Sequence, residues 1–272
     1  MMKHTRQVLF AGNDAFDYVR VYTMLGKDDL IRYSRQLSIK GWSRQIQEKL
    51  KGSTVFIAGA GGLGSPVLLY LASAGVGRIR ICDYDRVELS NLNRQILHSD
   101  RRIGRYKVKS AEERVREINP NVEIIPLREK ISRKNTKALI EDADVLLDCL
   151  DNYDARHHLN RFAVDNALPL IHAGIEAFRG QITFLHPPET SCLACFIPRK
   201  IKKESVPVLG ATAGVIGALQ ATEAIKYLVG LNSNLKDRLL IYDGLAMTLD
   251  SIRLKRNPKC RICGAVHLNR KI

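Results

Sequence analysis

The sequence predicts an α/β fold built on a mainly parallel sheet that antiparallel strands continue. Three observations carry this. A short β-branched run, Thr54 to Ala58, passes at once into a glycine-rich turn and then into a helix-forming stretch. Strand-like apolar runs then alternate with helical stretches as far as Ala173. Beyond that point come alternating strands and one long apolar helix.

The chain has 272 residues, 45% of them hydrophobic, enough for one substantial core. We expect a single α/β domain over residues 28–272, its nucleotide-binding half at about 50–175, preceded by an extension (residues 1–27) without clear period. No run approaches the ~18 uninterrupted apolar residues of a membrane helix. Met1 to Val21 lacks the apolar stretch and small-residue cleavage site of a signal peptide, so a cytoplasmic location is expected. The formal net charge of +15 points to nucleotide phosphates, nucleic acid or an acidic protein as partner. No Lys/Arg block is interleaved with aromatics, so nucleic acid is not expected.

The elements follow in order. Asp28 and Asp29 are placed to cap a helix carrying Leu30, Ile31, Tyr33 and Leu37, which ends by Gly41. A second short helix covers Ser43 to Leu50. Thr54 to Ala58, Ser65 to Ala74 and Arg78 to Cys82 form a βαβ unit, with the right-handed crossover of parallel sheets. A helix from about Arg105 to Ile118 stops at Asn119-Pro120. Strands are expected at Val122–Ile125, Asp144–Cys149 and Leu170–Ala173, with helices at Asn135–Glu141 and Asp154–Asn166 between them. Gly180 to His186 alternates and reads as a strand, and Thr212 to Val229, rich in Ala and Gly, as a tightly packed helix. Leu239–Tyr242 and Met247–Arg253 pair around the turn signal Asp243-Gly244. The charged stretch Pro198 to Pro207 is the expected mobile loop.

Gly59-Ala60-Gly61-Gly62-Leu63-Gly64 fits G-x-G-x-x-G between a strand and a helix. Glycines there let the backbone turn sharply and approach a phosphate, which the helix N-terminus attracts; this is a Rossmann-like arrangement. Asp83 ends the next strand, where it can accept bonds from ribose hydroxyls. The motif alone does not separate a dinucleotide from ATP. The residues downstream do: Ser90, Asn91, Asn93, Arg94, Gln95 and Lys107 supply amides and cations. Attack on the α-phosphate of ATP builds negative charge that such groups offset, whereas hydride transfer needs none of them. Asp148 to Asn152 lies at the C-terminal edge of a strand, the ligand side of such a sheet. Asp151 there can hold Mg²⁺, can cap the next helix, or can do both.

Four of the six cysteines form two C-x-x-C pairs, Cys192/Cys195 and Cys260/Cys263; Cys82 and Cys149 sit in apolar runs and read as core. Zinc needs only spatial convergence of four thiolates, so these pairs suit a closed structural site; a redox dithiol is the other reading.

Taken together, these residues resemble the activating-enzyme superfamily of ubiquitin-like and sulfur-carrier proteins, and more narrowly its ThiF, MoeB and HesA branch. The matching pieces are Arg32-Tyr33-Ser34-Arg35-Gln36, the GAGGLG loop, Cys82-Asp83-Tyr84-Asp85, Ser90 to Gln95, Lys107, Asp148 to Asn152 and both C-x-x-C pairs, in family order and spacing. They cover nearly everything from about residue 28 to 265.

The resemblance implies an ATP-dependent adenylyltransferase. Gly59, Gly61, Gly62 and Gly64 would contact the ATP phosphates, and Asp83 the ribose. Asp85, Ser90, Asn91, Arg94, Lys107, Asp151 and Asn152 would complete the nucleotide site. Asp151 would hold Mg²⁺, and Arg35 would reach into the other subunit's site of a homodimer. Catalysis would rest on Arg35, Arg94, Lys107 and Asp151, with Zn²⁺ on Cys192, Cys195, Cys260 and Cys263. The partner would be a ubiquitin-like sulfur carrier ending in Gly-Gly, bound by the half at about 176–265.

Some relatives carry a reactive cysteine in the loop before the long Ala/Gly-rich helix; here Arg199 to Pro207 has none. Adenylation without covalent transfer is therefore expected. Three alternatives stay open: a nicotinamide-dependent oxidoreductase, a non-catalytic nucleotide- or nucleic-acid-binding module, and adenylation of a peptide or tRNA.

Overall fold

A computed structural model of the chain describes residues 24–197 and 206–264. Residues 1–23, most of the Pro198 to Pro207 stretch and the tail after Gly264 lie outside the described residues.

Every residue of β1 (Thr54–Ala58) is buried, as in a strand covered on both faces. β1 pairs in parallel with β2 (Arg78–Cys82) on one side and β4 (Val145–Asp148) on the other. β3 (Glu123–Leu127) adds to β2, and β5 (Leu170–Glu176) to β4, both parallel. β6 (Arg179–Leu185), β7 (Arg238–Asp243) and β8 (Thr248–Arg253) continue the sheet antiparallel. The order is β3-β2-β1-β4-β5-β6-β7-β8, the mixed sheet that the sequence predicts.

Side chains alternate along a strand, so β1 serves two cores. Val55 and Ile57 pack with α4 (Gly64–Ala74), α5 (Lys107–Ile118) and α8 (Gly210–Val229). Phe56 and Ala58 pack with α6 (Thr136–Ile140) and α7 (Tyr153–Asp165) on the other face. The small residues of α8 let it lie close on α4: a Cβ on Gly217 would fall 2.4 Å from Cγ of Pro66. β8 is one edge strand of the sheet, unpaired on its outer side among the described residues, and all its residues are exposed.

The N-terminal helices differ from expectation. α1 (Lys27–Arg32) starts after Gly26, not at Asp28 or Asp29. Asp29 sits inside the first turn, where its carboxylate accepts the Gly26 N–H (3.0 Å) and pairs with Lys51 (2.6 Å). Tyr33 then separates α1 from α2 (Ser34–Leu37). Its buried ring packs on Gly75, and its hydroxyl accepts from Asn119 Nδ2 at 2.8 Å. α3 (Arg44–Lys51) is capped by Ser43.

Elsewhere the differences are small. The β7–β8 connection is longer than a two-residue turn, because Asp243 Oδ1 accepts the N–H groups of both Leu245 and Ala246 and rounds the chain into an Asx-type turn. Cys149 lies just beyond β4, not within it. Among the described residues no helix is long and apolar enough to cross a membrane.

Candidate nucleotide site and cysteine knot

The connections leaving β1 and β4 diverge to opposite sides of the sheet, so the crevice between their C-terminal ends is the ligand position of an open α/β fold. The glycine loop follows β1, and Cys149 to Asn152 follow β4. The two loops touch. Gly59 has φ +101°, and a Cβ on it would stand 2.6 Å from the Cys149 carbonyl, so only glycine fits. Among the described residues nothing accepts from the N–H groups of Gly61 and Gly62, which leaves them for an anion. Gly64 opens α4.

Four of the candidate residues gather round this loop. Arg94 lies against Gly62, within 3.7 Å of where a Cβ would be. Its guanidinium donates to Ser90 O (2.8 Å) and Asn93 Oδ1 (3.0 Å) and stays half-exposed. Asp83 accepts the Ala60 N–H on one oxygen and the Asp85 N–H on the other, each at 2.8 Å. Burial pushes its carboxyl up against the opposing pull of Lys107. Lys107 is buried and pairs with Asp85 at 3.1 Å. Asp85, then burial, then Asp151 and Asp83 raise the Tyr84 phenol. Asp151 follows the C-terminal end of β4 as an exposed carboxylate, a donor of the kind Mg²⁺ takes together with phosphate and water.

Other candidates hold the framework. Asn152, not Asp151, caps α7, accepting the Ala155 N–H at 2.9 Å, so Asp151 stands exposed and uncommitted to a cap. Asn91 Oδ1 accepts the Glu88 N–H at 3.3 Å, and the exposed Ser90 donates to Glu88. Arg35 is not brought to this crevice. Tyr33 and Gln36 anchor its helix at Gly75 and the Ala74 carbonyl, the far end of α4 from the glycine loop.

The sequence reading missed the layer beneath. Asp148, fully buried, accepts from His172 Nδ1 (2.7 Å) and the Leu150 N–H (3.1 Å), with Arg156 Nε at 3.4 Å. Burial alone would raise its carboxyl, but Arg156 and His172 outweigh that and hold it below the usual range. Arg156 also donates to the carbonyls of Leu150 and Ala173. Gln220 of α8 donates to Asp148 O (3.0 Å) and Ile171 O (3.2 Å), joining β4 to β5. Arg156 had one sequence signal, its place one turn after the cap of α7. His172 and Gln220 had none. Burial pushes the Cys82 thiol up to about 12 and the Cys149 thiol well above its ordinary value, so both belong to the core.

His98 was also missed. Buried, it bridges Ser110 Oγ (2.8 Å) and the Ala60 carbonyl (3.0 Å). Burial lowers its pKa from 6.5 to about 4, against the Ala60 bond and with help from Lys107 and Arg102. Above 6.5 folded and unfolded chains are both neutral here, so this stabilisation is complete; below it the unfolded chain gains the proton first. Stability should thus fall between pH 6.5 and about 4, by roughly 3 kcal/mol in all. Urea unfolding across that window checks this, and His98→Gln should flatten the slope.

The two C-x-x-C pairs converge. Cys192 and Cys195 flank a 3₁₀ turn after β6, and Cys260 and Cys263 lie in the last described turn. The Sγ separations are 3.9 Å (192–195), 3.7 Å (192–260) and 3.5 Å (195–263), and all four atoms lie within 4.8 Å of one another. A disulfide needs about 2.0 Å. Four sulfurs at about 2.3 Å from one zinc stand about 3.8 Å apart, which is this spacing. Asn160 Nδ2 points at Cys192 Sγ from 3.8 Å, a donor suited to a thiolate.

A crevice at the C-terminal ends of β1 and β4 of a mixed α/β sheet, with a four-cysteine cluster toward the sheet's other end, defines the class of protein. The ThiF family model matches residues 33–262, and the chain belongs to the ThiF family. It is 42% identical over 252 residues to the adenylyltransferase and sulfurtransferase MOCS3 of Drosophila yakuba, covering 90% of this chain and 56% of that protein. The chain therefore spans about half the length of such relatives. It is 38% identical to the SAMP-activating enzyme E1 of Haloferax volcanii over 246 residues, 88% of this chain and 91% of that one. Among solved structures, E. coli MccB with ATP superposes with a TM-score of 0.78 at 26% identity, covering 86% of this chain and 74% of MccB.

Proposed function

We propose that this protein is an ATP-dependent adenylyltransferase that activates the C-terminal glycine carboxylate of a ubiquitin-like sulfur-carrier protein. The observation that carries this is the set of groups around the unpaired Gly61 and Gly62 N–H groups: Arg94 against the loop, buried Lys107, and the exposed Asp151. The names of the MOCS3 and SAMP-activating relatives support both the adenylation and the carrier.

The carrier carboxylate attacks the α-phosphorus of ATP, pyrophosphate leaves, and an acyl-adenylate forms. The glycine-loop N–H groups bind phosphate oxygens, Asp83 the ribose, and Arg94 and Lys107 offset the charge that grows on the phosphoryl group. Asp151 would hold Mg²⁺, which when bound neutralises phosphate charge. No side chain acts as nucleophile. Strand β8 offers the carrier an open edge beside exposed Leu245, Met247, Leu249 and Ile252, in the half at about 176–265. A cytoplasmic setting suits four closely set reduced thiols.

Incubation of enzyme, ATP and a carrier ending in Gly-Gly should give a carrier bearing AMP by intact mass, and none with a carrier lacking its last glycine. A carrier joined to the enzyme by a thioester or disulfide would overturn the non-covalent mechanism.

Arg35 supports a homodimer. α4 has 11 residues, so its two ends stand about 16 Å apart. Arg35 is thus remote from its own glycine loop and is free to serve a partner's. Mixing Arg35→Ala with Arg94→Ala chains should restore up to about a quarter of wild-type activity, since half the exchanged dimers carry one complete site. Two inactive variants that stay inactive after verified subunit exchange would rule this out.

A peptide substrate is the second reading, since the groups around the glycine loop would act on ATP and do not select the attacking carboxylate. Adenylation of a short peptide, with every carrier inert, would select it.

A further inference from the structure

Ala60 is a residue of the glycine loop whose backbone N–H and carbonyl are both held by side chains. Asp83 accepts its N–H at 2.8 Å, and His98 Nε2 meets its carbonyl at 3.0 Å. A carbonyl only accepts, so Nε2 carries the hydrogen. Nδ1 is then the acceptor, and it takes the Ser110 hydroxyl at 2.8 Å. The imidazole is therefore fixed in one tautomer and one orientation. Ser110 stands one turn beyond Lys107 on α5, on the same helix face. Ala60, His98 and Ser110 are all buried, so water does not compete for these bonds.

We propose that His98 is a positioning residue: it locks the glycine loop in its phosphate-binding shape and couples that loop to the helix that carries Lys107. Its effect on ATP rests on the adenylation reading; its effect on the loop does not. The ring acts as a rigid spacer with a donor on one side and an acceptor on the other. It keeps the Ala60 carbonyl turned inward, so that the N–H groups of Gly61 and Gly62, the next in the chain, stay turned toward the crevice. Ser65 fastens the far side of the same loop, its N–H and hydroxyl both donating to the Gly61 carbonyl at 2.9 and 2.7 Å. With both sides fastened, the loop presents its donors before nucleotide arrives.

The test uses the full chain with His98→Leu, His98→Gln and Ser110→Ala, each verified as folded by circular dichroism. The first readout is deuterium uptake without nucleotide. Uptake over residues 59–66 should rise at least about threefold in rate in His98→Leu, while residues 145–150 stay unchanged. The second is binding of Mg-ATP. His98→Leu should weaken it about threefold to tenfold, the factor carried by a neutral hydrogen bond, raising KM for ATP more than it lowers kcat. His98→Gln, whose amide can still donate to Ala60, should recover most of the affinity. Unchanged uptake and unchanged ATP affinity in His98→Leu would overturn the proposal. If His98→Leu does not fold, Ser110→Ala decides: faster uptake over 59–66 supports the clamp, and wild-type uptake overturns it. A wild-type chain that binds no Mg-ATP would strike the adenylation reading, while the uptake result would still judge the clamp.

Discussion

Arg94→Ala is expected to lower ATP–pyrophosphate exchange by about 10²–10³-fold, the range seen when one charge-stabilising donor is removed from a preorganised site. The same substitution should leave stability within about 0.5 kcal/mol. The reason is local. Arg94 is half-exposed and donates only to the Ser90 carbonyl and the Asn93 side chain, both of its own turn. Its loss removes a cation from beside the glycine loop without opening the core. Asp151→Ala should behave in the same way, since Asp151 is exposed and the cap of α7 is Asn152. Lys107 is a poorer probe. It is buried and paired with Asp85, so its removal leaves a carboxylate unpaired and mixes a stability loss with the catalytic one. Exchange rates read beside urea midpoints separate the cases. Near-normal exchange in Arg94→Ala or Asp151→Ala would remove that residue from the mechanism.

The second large effect is expected at the cysteine knot. Binding to four converged thiolates is folding free energy for the segment they close, and structural zinc sites reach about 10–16 kcal/mol in apparent affinity. Here the knot ties the turn after β6 to the end of the described chain, and it packs on Val164 of α7. Freshly purified protein should hold about one zinc per chain by elemental analysis. Cys260→Ser should cost several kcal/mol, about 3 or more, and expose the chain beyond Arg253 to protease before the rest unfolds. The nucleotide crevice belongs to the other end of the sheet, so ATP binding should survive longer than the tail. Less than half an equivalent of zinc, together with unchanged melting in Cys260→Ser, would count against a structural metal.

How much of this was legible in the sequence depends on the kind of signal. Buried parallel strands write continuous apolar runs, so β1 and β2 were read to the residue from TVFIA and RIRIC. The glycine loop was legible because Gly59 has no substitute where the Cys149 carbonyl stands 2.6 Å from any Cβ. The cysteine pairs were legible as chemistry, and only the fold brings their sulfurs to one point. Helix starts were less legible, since acidic residues suit both the cap and the first turn, and Asp29 took the turn. Buried polar contacts between elements were not legible at all. His172 reaches Asp148 from a neighbouring strand, and His98 reaches Ala60 across the loop; neither distance follows from spacing along the chain. Arg35 fell between: its motif named it, and the fold placed it away from its own crevice.

The central claim is adenylation of a carrier's terminal carboxylate, and ATP–pyrophosphate exchange tests it most directly. The protein would be incubated with Mg-ATP, labelled pyrophosphate and a panel of small carriers ending in Gly-Gly. The account predicts exchange that depends on one carrier and disappears when its terminal carboxylate is blocked. Exchange that ignores every carrier, or a chain that does not bind ATP, would contradict it.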